Sequence, residues 1–187
     1  MNQEIPQNLG ELKIEEGKEK LMELEKEGIY VFHGSPHLLQ ELEPRQARTF
    51  DKEEDEMVDD GEPGVAASPF AEIAIFRAII TRELKDKDKK HYSGFGGGGS
   101  GEHDKVIYRT TPEIFKKTKE ASGYVYIFKK EDFVERSGIE WKSSKKVKPV
   151  KIFKVYFEDL PKDILLLDVD DFKSWLKNNA RRLRGPG

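Results

Sequence analysis

Tyr30-Val31-Phe32-His33-Gly34-Ser35 is the stretch on which the reading of this chain turns. Ile29 to Phe32 is apolar, β-branched and aromatic, and it lies between Gly28 and the Gly34-Ser35-Pro36 break, which predicts a short buried strand running into a loop. His33, Gly34 and Ser35 then set an imidazole, an unhindered backbone and a hydroxyl at one strand end. Glycine lets a ligand approach the chain closely, and its N–H and C=O can pair with a planar amide. The same residues equally suit a strand end with a satisfied histidine, and Ser35-Pro36 suits an ordinary turn.

Working outward, residues 10–27 read as a polar helix with Leu12, Leu21, Met22 and Leu24 as its apolar stripe, stopped by Gly28. His37 to Gly64 is long, polar and without a steady period, as functional or mobile loops are. Its acidic run from Asp51 to Glu62 lacks the spacing and turn glycine of a calcium loop and reads as a disordered charged segment. Val65 to Ser68 is a brief strand, and Pro69 suits the first turn of a helix from Phe70 to about Leu84. Residues 86–104 read as a flexible connection. Within them, the GGGGSG run at 96–101 has the composition of an engineered linker and is set aside, and it is not a phosphate loop because no strand–loop–helix context surrounds it.

Thr111-Pro112-Glu113 predicts a helix start and Gly123 its stop. Strands follow at Tyr124–Phe128, Ile139–Lys142 and Val150–Phe157, with a short one at Ile164–Val169. Asp170 can cap a last helix carrying Phe172, Trp175, Leu176 and Leu183. The expected class is α+β, a mixed, mainly antiparallel split sheet with flanking helices. The expected layout is an N-terminal helical segment over 1–28, an α+β domain over 29–169, and a helix over 170–187 packed on that domain.

The 187 residues suit one domain, and the absence of cysteine excludes a disulfide framework, a thiolate nucleophile and a Cys-based zinc site. No apolar run approaches the ~20 residues of a membrane span and nothing resembles a signal peptide, so no membrane partner and a cytoplasmic location are expected. The net charge of -3 argues against non-specific nucleic-acid affinity but leaves room for a basic patch at Lys142–Lys151. His37, His91 and His103 lack partners at ligand spacing, so no metal is expected.

Two further stretches hold candidate chemistry. Val65-Ala66-Ala67-Ser68 is a strand of small residues that leaves space, and it leads to a helix bearing Phe76, a ring able to stack on a flat heterocycle or simply to join the core. Glu140 lies between Ile139 and Trp141, so on a strand its carboxylate faces away from both, toward solvent or into a cleft.

In chain order these pieces are His33-Gly34-Ser35 on a first strand, Gly64-x-x-x-Ser68 leading to a helix with Ala74-x-Phe76, and Glu140-Trp141 before a hydrophobic strand. This order resembles the ADP-ribosyltransferase superfamily, in its diphtheria-toxin and poly(ADP-ribose)-polymerase branch with a His-Tyr-Glu signature, over residues 29–157. The resemblance implies an ADP-ribosyltransferase-like fold and an enzyme that consumes NAD, cleaving the nicotinamide–ribose bond and passing ADP-ribose to a macromolecular acceptor. It implies that His33 bonds the adenine-side ribose, Gly34 clamps the nicotinamide carboxamide with help from Ser35, and Phe76 stacks on the ring. Glu140 takes the place of the catalytic glutamate at the ribose 2′-hydroxyl. Ala66 stands where the family has its first tyrosine, which removes one ring of the sandwich unless Tyr30, Phe32 or Tyr126 fills the gap.

Ala66 and Ser68 would thus line the NAD site, and Arg45 or Arg48 in the long loop could reach the pyrophosphate. The acceptor, protein, DNA or RNA, is not legible. A toxin of a toxin–antitoxin or phage-defence system, with an antitoxin partner, fits this reading. Two alternatives are a transferase-like binding module without catalysis, which Ala66 favours, and a nucleic-acid binding domain using Lys142, Lys145, Lys146, Lys148 and Lys151 with Tyr124 and Tyr126.

Overall fold

The chain is described from a computed structural model, over residues 13–51, 56–59, 61–81, 83–86, 89–97 and 106–183. In order these form β1 (Ile14–Glu16), α1 (Lys18–Lys26), β2 (Tyr30–Ser35), β3 (Arg48–Asp51), β4 (Glu56–Asp59) and β5 (Val65–Ala67). Next come α2 (Ala71–Ile79), β6 (Glu83–Asp86), β7 (Lys89–Gly97), β8 (Val106–Thr110), α3 (Pro112–Lys117) and β9 (Ser122–Lys129). The chain continues through β10 (Val134–Ser137), β11 (Glu140–Ser143), β12 (Lys151–Tyr156), β13 (Ile164–Leu166) and α4 (Val169–Leu183). The class is mixed α+β, with mostly antiparallel sheets.

The first sheet runs β1-β12-β9-β2, antiparallel except for the parallel pair β1/β12. A second group runs β10-β11-β5, and a single bridge between Phe32 and Ser68 ties it to the free edge of β2. A further sheet runs β13-β8-β7-β6, and β3 pairs with β4. Strand β9 is covered on both faces. Val125 and Ile127 join the core under α2, while Tyr126 and Phe128 join a second core with Val31, Val65, Phe133 and Ile152, as the two-residue period of a strand requires.

Helix α2 lies unusually close to this sheet. A Cβ on Gly34 would fall 1.8 Å from the Ala74 carbonyl oxygen, and one on Gly123 would fall 2.2 Å from that of Ala78. Both glycines therefore make room for helix backbone, and Ala74 and Ala78, four residues apart on one helical stripe, keep that side of α2 small. The N-terminus of α2 is held from α1. The Glu25 carboxylate accepts the Ala71 N–H at 2.6 Å, and Lys18 pairs with Glu72 at 2.7 Å. Burial holds the Glu25 carboxyl above its usual range, against the lowering effect of the Ala71 bond.

Several expectations are corrected. The helix expected over 10–27 begins only at Lys18, because Ile14–Glu16 pairs with Ile152–Lys154 and Gly17, at φ 112°, breaks the chain; Leu12 lies outside the described residues. The acidic run is not wholly irregular, since Arg48–Asp51 pairs with Glu56–Asp59. Helix α2 starts after Pro69 and ends at Ile79, where Ile80 turns extended, so Leu84 lies in β6 instead. The glycine-rich connection contains β7. Its Gly94 faces Trp175, whose ring would sit 3.1 Å from a Cβ there, so glycine in this strand makes room for an aromatic from α4. Gly98 to Gly101 lie outside the described residues. Helix α3 stops at Lys117, and Gly123 belongs to β9, not to a helix end. The last helix starts at Val169, its Asp171 N–H donating to Asp168 Oδ1 at 2.8 Å, so Asp168 rather than Asp170 caps it. Among the described residues no helix is long and apolar enough to cross a membrane.

The close seat of α2 predicts that Gly34→Ala costs at least about 3 kcal/mol, because the clash is with helix backbone, which cannot rotate away. Gly138→Ala meets nothing within 4 Å and should stay within about 0.5 kcal/mol of the parent. Urea midpoints of the two variants check this, and equal midpoints would refute it.

Candidate active site

The cleft arises where β2 and β5 part. Phe32 exchanges both backbone bonds with Ser68, at 2.7 and 2.9 Å. Antiparallel alternation then aims the N–H and C=O of Gly34, two residues on, at the same edge. There the Ala66 carbonyl is taken by a side chain: His33 Nδ1 lies 2.7 Å from Ala66 O. A carbonyl only accepts, so Nδ1 carries the proton and, in the neutral ring, Nε2 is the acceptor nitrogen. The imidazole thus wedges the two strands apart beside the Gly34 amide edge. Its ring is tilted against Tyr126, with centroids 6.2 Å apart.

The resulting cavity has a volume of about 480 Å³. His33 and Gly34 line it from β2, Ala66 and Ser68 from β5, and Glu140 from the start of β11. Glu140 is exposed at the rim, its position set by the pairing of Trp141 with Ala67. Ile139 and Trp141 do not share a face as expected. The turn before β11 sends Ile139 to the α2 core and the cavity, while Trp141 packs on the other core beneath the Lys130 ammonium, 4.7 Å from its ring.

A second cavity of about 380 Å³ adjoins the first, with His33 and Ala66 in both walls. Ser35, Glu41, Glu43 and Arg45 line it. Arg45 is brought there by its two backbone bonds with Gly64. Lys146 bonds Glu41 at 2.8 Å and Glu43 at 2.7 Å, which raises the pKa of the ammonium and keeps the Glu43 carboxyl below its usual range. The wall at residues 37–39 hangs on Tyr126, whose hydroxyl donates to His37 O at 2.6 Å and accepts the Leu39 N–H at 2.7 Å.

The structure thus brings His33, Gly34, Ala66, Ser68 and Glu140 to one cavity and separates three other expected residues from it. Ser35 lies on the second cavity, its Oγ accepting the His37 N–H at 3.2 Å, and Arg45 is there too. Phe76, expected to stack on a ligand ring, is fully buried among Tyr108 and Phe95, with centroids 5.1 and 6.3 Å away. The phase of α2 gives the cavity Ile73, Ala74, Arg77 and Ala78 instead. Of the rings considered for the missing tyrosine, Phe32 does line the cavity, and so does Phe95 of β7, in the segment read as a flexible connection. Arg77 and Phe95 are the residues the sequence reading missed. A lone arginine inside Ile73-Ala-Ile-Phe-Arg77-Ala-Ile-Ile80 was the available signal, since an apolar run does not otherwise carry a charge.

Two lysines of the basic stretch pair with carboxylates. Besides Lys146, Lys151 approaches Glu15 at 3.8 Å and Lys142 donates to the Glu62 carbonyl, while Tyr126 is buried. Compared with known proteins, the chain matches no family model, no curated protein and no solved structure.

Tyr126→Phe removes both bonds of the hydroxyl and should cost about 1–3 kcal/mol. Burial pushes the Tyr126 hydroxyl up to about 12, against about 10 in the unfolded chain. Its stabilising contribution is therefore full below about pH 10 and is lost as pH rises toward 12, since only the unfolded state ionises in that window. Tyr108, raised by burial, adds a slope of the same sign in both proteins. Urea denaturation between pH 8 and 11.5 should show a shallower decline for Tyr126→Phe, and parallel curves would contradict the assignment.

Proposed function

We propose that the cleft binds NAD as a consumed substrate and cleaves its nicotinamide–ribose bond, passing ADP-ribose to a nucleophile on a macromolecular acceptor. The observation that carries this reading is the convergence of an imidazole from β2 and a carboxylate from β11 on one cavity, with the Gly34 amide edge between them. The two cavities that meet at His33 and Ala66 offer room for the two halves of a dinucleotide.

In this reading Gly34 pairs with the carboxamide through one donor and one acceptor, and the apolar walls hold the ring. His33, its tautomer set by Ala66, lines both cavities and stands where a ribose would pass from one to the other. Arg45 lies on the side where the pyrophosphate and adenosine would run. Glu140 faces the ribose and stabilises positive charge as it develops at C1′, as carboxylates do in glycoside hydrolysis. It also orients the acceptor and takes its proton.

A second reading, a binding module without catalysis, is favoured by Ala66 and by the burial of Phe76, which together remove both rings expected to sandwich nicotinamide. One experiment separates the two. Incubated with NAD, the chain should release nicotinamide, measured by mass spectrometry. Glu140→Gln should lower kcat about 100- to 1000-fold with NAD still bound. His33→Ala should raise KM about 10-fold, the loss of roughly one hydrogen bond to a ribose. Binding of NAD with no release by the parent chain would establish the module, and no binding at all would end both.

A further inference from the structure

We propose that Arg77 takes a direct part in breaking the nicotinamide–ribose bond, as a cation that opposes positive charge on the ring; this rests on the reading given above. Among the described residues lining the larger cavity, His33, Arg77 and Glu140 are ionisable, and the rest of that wall is mainly apolar. Arg77 is held in place. Its Cζ lies 4.7 Å from the Phe95 ring centroid and 5.6 Å from that of Phe76, and Nη1 lies 3.5 Å from Ser93 Oγ. Ser93 donates its own proton to the Thr81 carbonyl at 2.6 Å, so its oxygen lone pairs are left to face the guanidinium.

The placement matters because Arg77 belongs to the same helical turn as Ala74 and Ala78, the residues against which Gly34 is pressed. A ring held on the amide edge of Gly34 therefore lies beside the Arg77 turn, while Glu140 comes from a different element, β11. In bound NAD the ring is a pyridinium, carrying the positive charge. When the C1′–N bond breaks, both electrons pass to the ring nitrogen, the ring leaves as neutral nicotinamide, and the charge moves to the C1′–O4′ oxocarbenium. A water or acceptor hydroxyl then adds through an oxygen lone pair and gives its proton to Glu140 or solvent. Arg77 repels the ring charge in the ground state and ceases to do so as the bond breaks. Glu140 attracts the charge at the place where it arrives. A cation at one end and a carboxylate at the other thus make a fixed field along the direction in which charge moves, and this lowers the barrier without tightening ground-state binding.

The test uses the full chain, with NAD and with NADH, whose dihydropyridine ring is neutral and whose bond is not cleaved. Arg77→Met should lower kcat for nicotinamide release about 100-fold while KM stays constant or falls, the pattern of relieved ground-state repulsion. Calorimetric Kd values should show the preference for NADH over NAD shrinking about 10-fold in the same variant. Arg77→Lys should keep most of both effects. Arg77→Gln replaces Arg77→Met if the latter lacks the parent's thermal transition. An unchanged kcat, a raised KM at constant kcat, or an unchanged NADH/NAD ratio would overturn the role of Arg77 alone. Failure of the parent chain to cleave NAD would instead sink the reading of the cleft, and the inference with it.

Discussion

The contact of the α2 backbone with the backbones of β2 and β9, without side chains between them, is the constraint from which the rest of the molecule follows. Helices normally ride on a sheet with a layer of side chains in the gap. Here Gly34 and Gly123 remove that layer on the sheet, and Ala74 and Ala78 thin it on the helix. Such a seat gives many short dispersion contacts and almost no freedom to shift, because backbone cannot repack as a flexible side chain does. Glu25 and Lys18 of α1 then grip the first turn of α2, so its position is set at both ends of the contact.

From that seat comes the cleft. Since α2 follows β5 after only Ser68-Pro69-Phe70, fixing the helix over β2 pins Ser68 opposite Phe32. The rest of β5 is drawn away to pair with β11, and the His33 ring fills part of the opening by taking the Ala66 carbonyl. Alanine at position 66 is consistent with this. What that residue contributes is a backbone acceptor and space, and a large side chain in the strand is not needed to orient the imidazole. The candidate groups therefore sit on rigid elements whose mutual placement is set by main-chain contacts, as an electrostatic site would require.

Much of this was legible along the chain. The strand leading into His33, the small-residue strand at 65–68, the late strand bearing Glu140 and the helix–strand mixture were evident from periodicity and turn residues, because each is a local property. The first strand, however, runs on through Ser35, paired with β9, past the break expected at His33 and Gly34. The legibility failed where local signals had a distant cause. Gly94 read as part of a flexible connection, yet it makes room for Trp175, some eighty residues away. Gly123 read as a helix stop, and its real neighbour is Ala78. Ile14-Glu-Glu read as helix because its strand partner, β12, lies at the other end of the chain.

By itself, then, the sequence determined which residues could carry chemistry and in what kind of element each would sit. Composition and local periodicity suffice for that, since they act over a few residues. Only the tertiary structure decided which of them share a wall. It gave the cavity Arg77 and Phe95 in place of Phe76, moved Ser35 and Arg45 to the neighbouring cavity, and aimed the amide edge of Gly34 into the opening. The reason is geometric. One residue of helix phase turns a side chain by about 100°, and the depth at which α2 seats on two glycines chooses the phase, which no spacing along the chain encodes.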